Sequence, residues 1–170
     1  MTDFRDERPP VPTDQLGEAE RRLAELGQCI PPSYRALLAE QDGGRPVRAC
    51  FRFQQEDREQ VDSVKWFLGV APALDGDLVE TAESLWERVP AGVLPIAPDP
   101  VGNYICLDGR DGRDGPVYLW DHEYEGEEPD GANLYEIAPD MQRFLDGLVE
   151  KPARAPTVGR RRRFRLLGRR

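Results

Sequence analysis

The sequence is poor in the residues from which catalytic and metal sites are most often built: 170 residues hold one histidine, His122, three cysteines and three serines. Cys29, Cys50 and Cys106 are odd in number, far apart and without a C-x-x-C pair, so zinc fingers, haem attachment and a disulfide framework are not expected. Reduced, mostly buried thiols fit a cytoplasmic protein. Ser33, Ser63 and Ser84 have no histidine in their local sequence, and no G-x-S-x-G elbow occurs. The P-loop spacing is absent, and no lysine lies near the one Gly-Asn turn, Gly102-Asn103, which reads better as a tight turn needing positive φ. No apolar run approaches the roughly 18 residues of a membrane span, and the start lacks the apolar stretch of a secretory signal. No cofactor, metal site or catalytic set is expected.

What the chain has in quantity is charge, unevenly placed. The net charge of -9 is the sum of 32 acidic and 23 basic residues. From Lys151 onward there are nine basic residues and no acidic one, which leaves 32 acidic against 14 basic before it, about -18 for the body. Such a body is repelled by phosphate, so its surface is a poor nucleic-acid ligand. The Arg-rich tail, 151–170, changes composition sharply and is expected to be a separate, flexible segment. Three readings of it stay open: a tail folding back on the acidic body, a nucleic-acid or membrane-surface contact, or an incidental terminus. Deletion after Lys151 is expected to leave the fold intact.

Periodicity predicts an α+β domain over 13–150, preceded by a loose, proline-rich arm at 1–12. Thr13 or Asp14 can cap a first helix with Leu16, Ala19, Leu23 and Leu26 at helical spacing and Gly27 as its exit. Pro31 and Pro32 suit the entry of a second helix, which carries Tyr34, Leu37 and Leu38 and stops at Gly43-Gly44. Alternation predicts a strand at 47–53, then a polar connection at 54–63, and a core strand at 64–70. A third helix is expected over 77–89, with Trp86 on its apolar side. Three strands, 94–97, 104–107 and 117–120, separated by turn chemistry, should form an antiparallel meander, with 134–137 as an added edge. A last helix begins at Pro139 and Asp140 and carries Met141, Phe144, Leu145, Leu148 and Val149. The expected architecture is a mostly antiparallel sheet of five or six strands with helices packed on one face, two at the start of the domain and one at its end. Trp66, Trp86 and Trp120 are all expected in the core.

The segments IPPSYRALLAEQDGG, LPIAPDPVGNYICLDGR, GPVYLWDHE and MQRFLDGLVE, in this order and spacing, resemble the SUKH superfamily over about residues 14–150. That superfamily includes bacterial immunity proteins and a fungal cell-wall assembly regulator. Gly102-Asn103 and Trp120-Asp121-His122-Glu123 are the most telling residues. The resemblance implies an α+β fold with an antiparallel sheet and a binding role, since many bacterial relatives neutralise a cognate polymorphic toxin, often a nuclease. It brings no shared catalytic residues.

Read for chemistry, Asp121-His122-Glu123 is the most enzyme-like cluster, but adjacent strand residues point to opposite faces, so a structural role at a strand end is expected. Asp108, Asp111 and Asp114 fail the register of a calcium loop and look like a solvated hairpin tip. Glu123, Glu125, Glu127, Glu128 and Asp130 put five carboxylates in eight residues. With Asp108, Asp111 and Asp114 they are the candidate contacts for a basic protein partner, a toxin domain that an acidic inhibitor would meet by electrostatic steering. The expected function is thus a non-catalytic immunity-type protein. The alternative is a regulatory or scaffold adaptor for endogenous proteins, and a hydrolase or metal enzyme stands a distant third.

Overall fold

The computed structural model describes residues 2–55, 57–71, 76–124, 129 and 131–150, so the Arg-rich tail and the carboxylates Glu125, Glu127, Glu128 and Asp130 lie outside the described residues. Helix α1 (Thr13–Glu25) buries Leu16, Ala19 and Leu23. Its entry differs from expectation, because Pro12 takes the capping position and no side chain caps the first turn. Its exit is as expected. Gly27 sits at φ 70°, and the N–H groups of Gly27 and Gln28 close back on the carbonyls of Ala24 and Leu23, satisfying two otherwise orphaned acceptors. Helix α2 (Pro32–Glu40) opens on its two prolines and buries Tyr34 and Leu38. The Tyr34 hydroxyl lies 2.6 Å from the Leu68 carbonyl and 3.0 Å from that of Ile96, tying the helix to the sheet. Residues 2–12, expected as a loose arm, are bridged to the body: Arg5 donates to the Arg45 carbonyl, Val47 to that of Asp3 and Val11 to that of Leu38.

The central segment departs most from the periodicity. Strand β1 (Cys50–Gln55) starts three residues later than expected, and its partner is the stretch read as a polar connection. That stretch is β2 (Arg58–Ser63), antiparallel to β1 with Cys50 opposite Ser63 and Phe51 opposite Asp62. β2 escapes recognition because its core-facing positions are Gln60 and Asp62, opposite the buried Phe53 and Phe51, while Val61 points out. Residues 64–70, expected as a core strand, are buried at Val64, Phe67 and Leu68 but form only isolated bridges. Their donors go to scattered partners: Lys65 and Leu68 donate to the Pro98 and Ile96 carbonyls and Phe67 to that of Gly44, while the Asp42 carboxylate takes the N–H groups of Val70 and Ala71, at 2.6 and 3.1 Å. A Cβ on Gly69 would stand 2.5 Å from Asp42 Oδ1, so glycine is required there.

Helix α3 (Leu78–Ser84) is capped by Asp77, whose Oδ1 accepts from Val79 and Glu80. It ends earlier than the apolar pattern suggests, and Glu87 at φ 64° breaks the helical path. Trp86 consequently emerges 54% exposed, against the expectation of core packing, whereas Trp120 is buried and Trp66 half-buried. The meander is as read: β3 (Val93–Pro98), β4 (Tyr104–Asp108), β5 (Val117–Trp120) and β6 (Leu134–Ala138) form one antiparallel sheet in sequence order. Period two then sorts its side chains. Leu94, Ile96, Ile105, Leu107, Val117 and Leu119 join the main core under α1, α2 and α4 (Met141–Gly147). Val93, Cys106 and Trp120 build a second, smaller core with Leu85 and Val89. Both faces of the sheet are therefore covered, where coverage of one was expected. Phe51 reaches Phe144 of α4 at 5.6 Å between ring centres, and Phe53 reaches Tyr135 of β6 at 6.2 Å, which seats the β1–β2 hairpin beside the sheet.

Candidate partner-binding surface

Antiparallel strands gather their connections at two ends, and the candidate carboxylates divide between them. At one end lies the β4–β5 turn. Asp108 is nearly buried there, with Oδ1 accepting from the Arg110 backbone and both oxygens held by the Arg110 guanidinium. That hydrogen-bonded cation holds the Asp108 carboxyl below its usual range. Asp114 accepts from the Ser33 backbone N–H at 3.0 Å and from its hydroxyl at 2.7 Å, supplying α2 with the N-terminal acceptor that its two prolines lack. Cys29 Sγ, 3.0 Å from the Gly109 carbonyl, pins the same turn to the α1–α2 connection. Burial and the nearby Asp108 push the Cys29 thiol up, and burial does the same for Cys106, so neither is an activated nucleophile; all three thiols are free. For Asp111 only the backbone is described, in a short 3-10 turn, Arg110–Gly112.

The other end is built by the β3–β4 turn and the segment after β5. Asp99 Oδ1 accepts from Val101, Gly102 and Asn103 at 2.7–2.8 Å, and Gly102 takes φ 109°, as the tight-turn reading expects. Asn103 Oδ1 then contacts His122 twice, at 3.2 Å from the backbone N and 2.7 Å from Nδ1. The imidazole is thereby engaged as a staple between two loops. Asp121 accepts from the Glu123 N–H through Oδ1 and from Gln55 Nε2 through Oδ2, and its backbone pairs with Asn133. The Asp121-His122-Glu123 triplet thus performs the strand-end role expected of it, and among the described residues no three His, Cys, Asp or Glu side chains are arranged to hold a metal ion.

Of the candidate contacts, Glu123 alone is both described and free-standing at this end: it is exposed, in the 3-10 turn His122–Tyr124. Glu125, Glu127, Glu128 and Asp130 follow it in sequence, outside the described residues. The sequence reading missed two neighbours. Val101 is 70% exposed and Tyr124 61% exposed, on the two loops that Asn103 and His122 lock together. Tyrosine and valine in turns carry no periodic signal, so only their position reveals them. Also missed was the approach of Asp62, from β2, to Asp99 and Asp121. The turn 108–114 and residues 121–124, read as neighbours from the sequence, stand at opposite ends of β5.

The family model for the SMI1 / KNR4 family (SUKH-1) matches residues 10–147. A relative in Bacillus subtilis (strain 168), the SPbeta prophage-derived uncharacterized protein YokK, is 31% identical over 157 residues, covering 84% of this chain and 77% of its own length. The residues that staple the second end, Asn103 and His122, belong to the two segments that carry the resemblance most strongly. No described helix is long and apolar enough to cross a membrane.

Proposed function

Because the chain belongs to the SMI1 / KNR4 family (SUKH-1), we propose that it is a non-catalytic immunity-type protein of the cytoplasm that binds and neutralises a basic toxin domain. The contact surface is the end of the sheet carrying Val101, Glu123 and Tyr124, extended by Glu125, Glu127, Glu128 and Asp130. One observation carries this reading: the exposed side chains of Val101 and Tyr124 stand on interlocked loops, and the densest run of carboxylates in an acidic body follows Tyr124 in the sequence. Tyr124 and Val101 supply area that desolvates on contact, and the carboxylates steer a cationic partner and fix its register. Asp108, Asp111 and Asp114 add to the long-range field from the far end. Two of them are engaged by Arg110 and Ser33, so they serve steering more than docking. The prophage origin of the Bacillus relative supports a role in conflict between genetic elements.

The test uses the toxin domain encoded beside this gene, mixed with wild type and with a triple Glu125→Lys, Glu127→Lys, Glu128→Lys variant in stopped flow at several salt concentrations. The variant should associate at least tenfold more slowly at low salt, with a flattened salt dependence. Unchanged association would remove this loop from the mechanism. An isolated gene with no toxin beside it would favour the endogenous adaptor instead.

A further inference from the structure

Asp99 is 2% exposed, and while its Oδ1 accepts three backbone N–H groups, its Oδ2 is buried and has no hydrogen-bond partner among the described residues. A buried carboxylate oxygen without a donor keeps its full desolvation penalty, so an unassigned donor is implied. The group within hydrogen-bonding reach is another carboxyl, Asp62, on the core-facing side of β2 opposite Phe51. Asp121 adds a third acidic group close by.

We propose that Asp62 and Asp99 form a proton-binding site, in which one shared proton makes Asp62 the donor to Asp99 Oδ2 and latches the β1–β2 hairpin to the β3–β4 turn. The proton supplies the missing donor without a metal ion or a basic side chain. Burial first, and then Asp99 and Asp121, raise the Asp62 carboxyl from its ordinary 3.8 to about 7, against the opposing pull of the Ser63 N–H. That is roughly a thousandfold gain in proton affinity. The surrounding charge is consistent. Asp99 faces Asp62 from the β3–β4 turn and Asp121 from the segment after β5, while β1 presents Phe51 opposite it and Gln55, whose amide goes to Asp121. Tyr104 feels both Arg88 and Asp99, Arg88 lies over the Trp120 ring, the imidazole of His122 is bonded to Asn103, and the Lys65 ammonium lies 4.5 Å from the Trp66 ring centre. The groups acting on Asp62 are thus one N–H and two carboxyls, a setting in which protonation relieves repulsion.

The linkage has a definite sign. The folded-state value of Asp62 lies above its unfolded value, so its stabilising effect is full below about pH 4 and is lost as pH rises through about 7. The experiment is a carbon-13 titration of the aspartate side-chain carboxyls in the full chain, on wild type, Asp62→Asn and Asp99→Asn. Wild type should show one aspartate titrating between about pH 6 and 8, absent in Asp62→Asn. In Asp99→Asn the amide can donate to Asp62, so the remaining Asp62 transition should fall by a unit or more. Melting adds a second readout: Asp62→Asn carries a permanent donor, so its Tm should exceed that of wild type by several degrees at pH 8.5, with the gap closing toward pH 5. The wild-type titration decides even if a variant does not fold. All aspartates titrating below about pH 5, or Tm curves that run parallel across this range, would overturn the shared proton.

Discussion

The two ends of the meander both carry carboxylates and treat them differently. At the β4–β5 end each described carboxylate has a partner of its own: Arg110 for Asp108, and the Ser33 hydroxyl and N–H for Asp114. At the other end Asp99 and Asp121 both bear on Asp62, and Glu123 faces solvent. A count of acidic residues treats these as one feature. In the folded chain the first set acts as internal bracing, and the second stores repulsion that a proton or a cationic partner relieves.

This contrast can be pressed by substitution, and the largest effect belongs to the second end. Asp99→Ala removes the acceptor of three backbone N–H groups, so a loss of about 3 kcal/mol in urea unfolding is expected. A loss below 1 kcal/mol would mean that the turn holds itself and that Asp99 has no bracing role. At the first end Asp108→Asn, which breaks a charge-assisted pair to Arg110, should cost about 2 kcal/mol at neutral pH. The pH dependence is opposite to that of Asp62. Asp108 has a lowered folded-state value, so its contribution is present above about pH 4 and disappears as pH falls through the folded value, where the variant and wild type should converge.

Binding separates the ends next. Tyr124→Ala should weaken the complex with the toxin domain about tenfold while leaving the urea midpoint unchanged, since the side chain is 61% exposed. Asp114→Ala should do the reverse, costing about 1 kcal/mol of stability through the lost acceptor at α2 and leaving affinity unaltered. If Asp114→Ala instead weakens the complex, the docking surface extends to both ends and the division drawn between them fails.

How far the sequence revealed all this depends on what kind of signal each part leaves. The four-stranded meander and the helices around it are legible because apolar periodicity and turn residues agree at every step, as at Gly27 and at 98–103. Strand β2 is illegible because it reverses the pattern: Val61 faces water and Asp62 faces the core, so alternation reports the wrong side. The failed strand at 64–70 has a different cause: its donors go to distant partners, the carbonyls of Gly44, Ile96 and Pro98 and the Asp42 carboxylate, which no local window contains. Trp86 follows from one left-handed residue, Glu87, that ends a helix whose apolar stripe continues. The site shows the same divide. The carboxylate run after β5 is visible as composition, but the exposure of Val101 and Tyr124 beside it depends on the Asn103–His122 staple, and the meeting of Asp62 with Asp99 depends on how a hairpin seats against a turn.

One pairing has a consequence for how the chain is connected. Val47 donates to the Asp3 carbonyl, and Ala49 and Cys50 both donate to that of Val149, so the two ends of the described chain are held by three residues of one short segment. A short linker joining the ends directly could therefore span them, with the chain opened instead at the exposed bend between β1 and β2. Such a circularly permuted chain would keep every strand pairing of the four-stranded sheet, and its termini would adjoin Gln55 and Arg58. The domain is thereby suited to insertion within, or fusion to, a larger chain, with both attachment points emerging at one place.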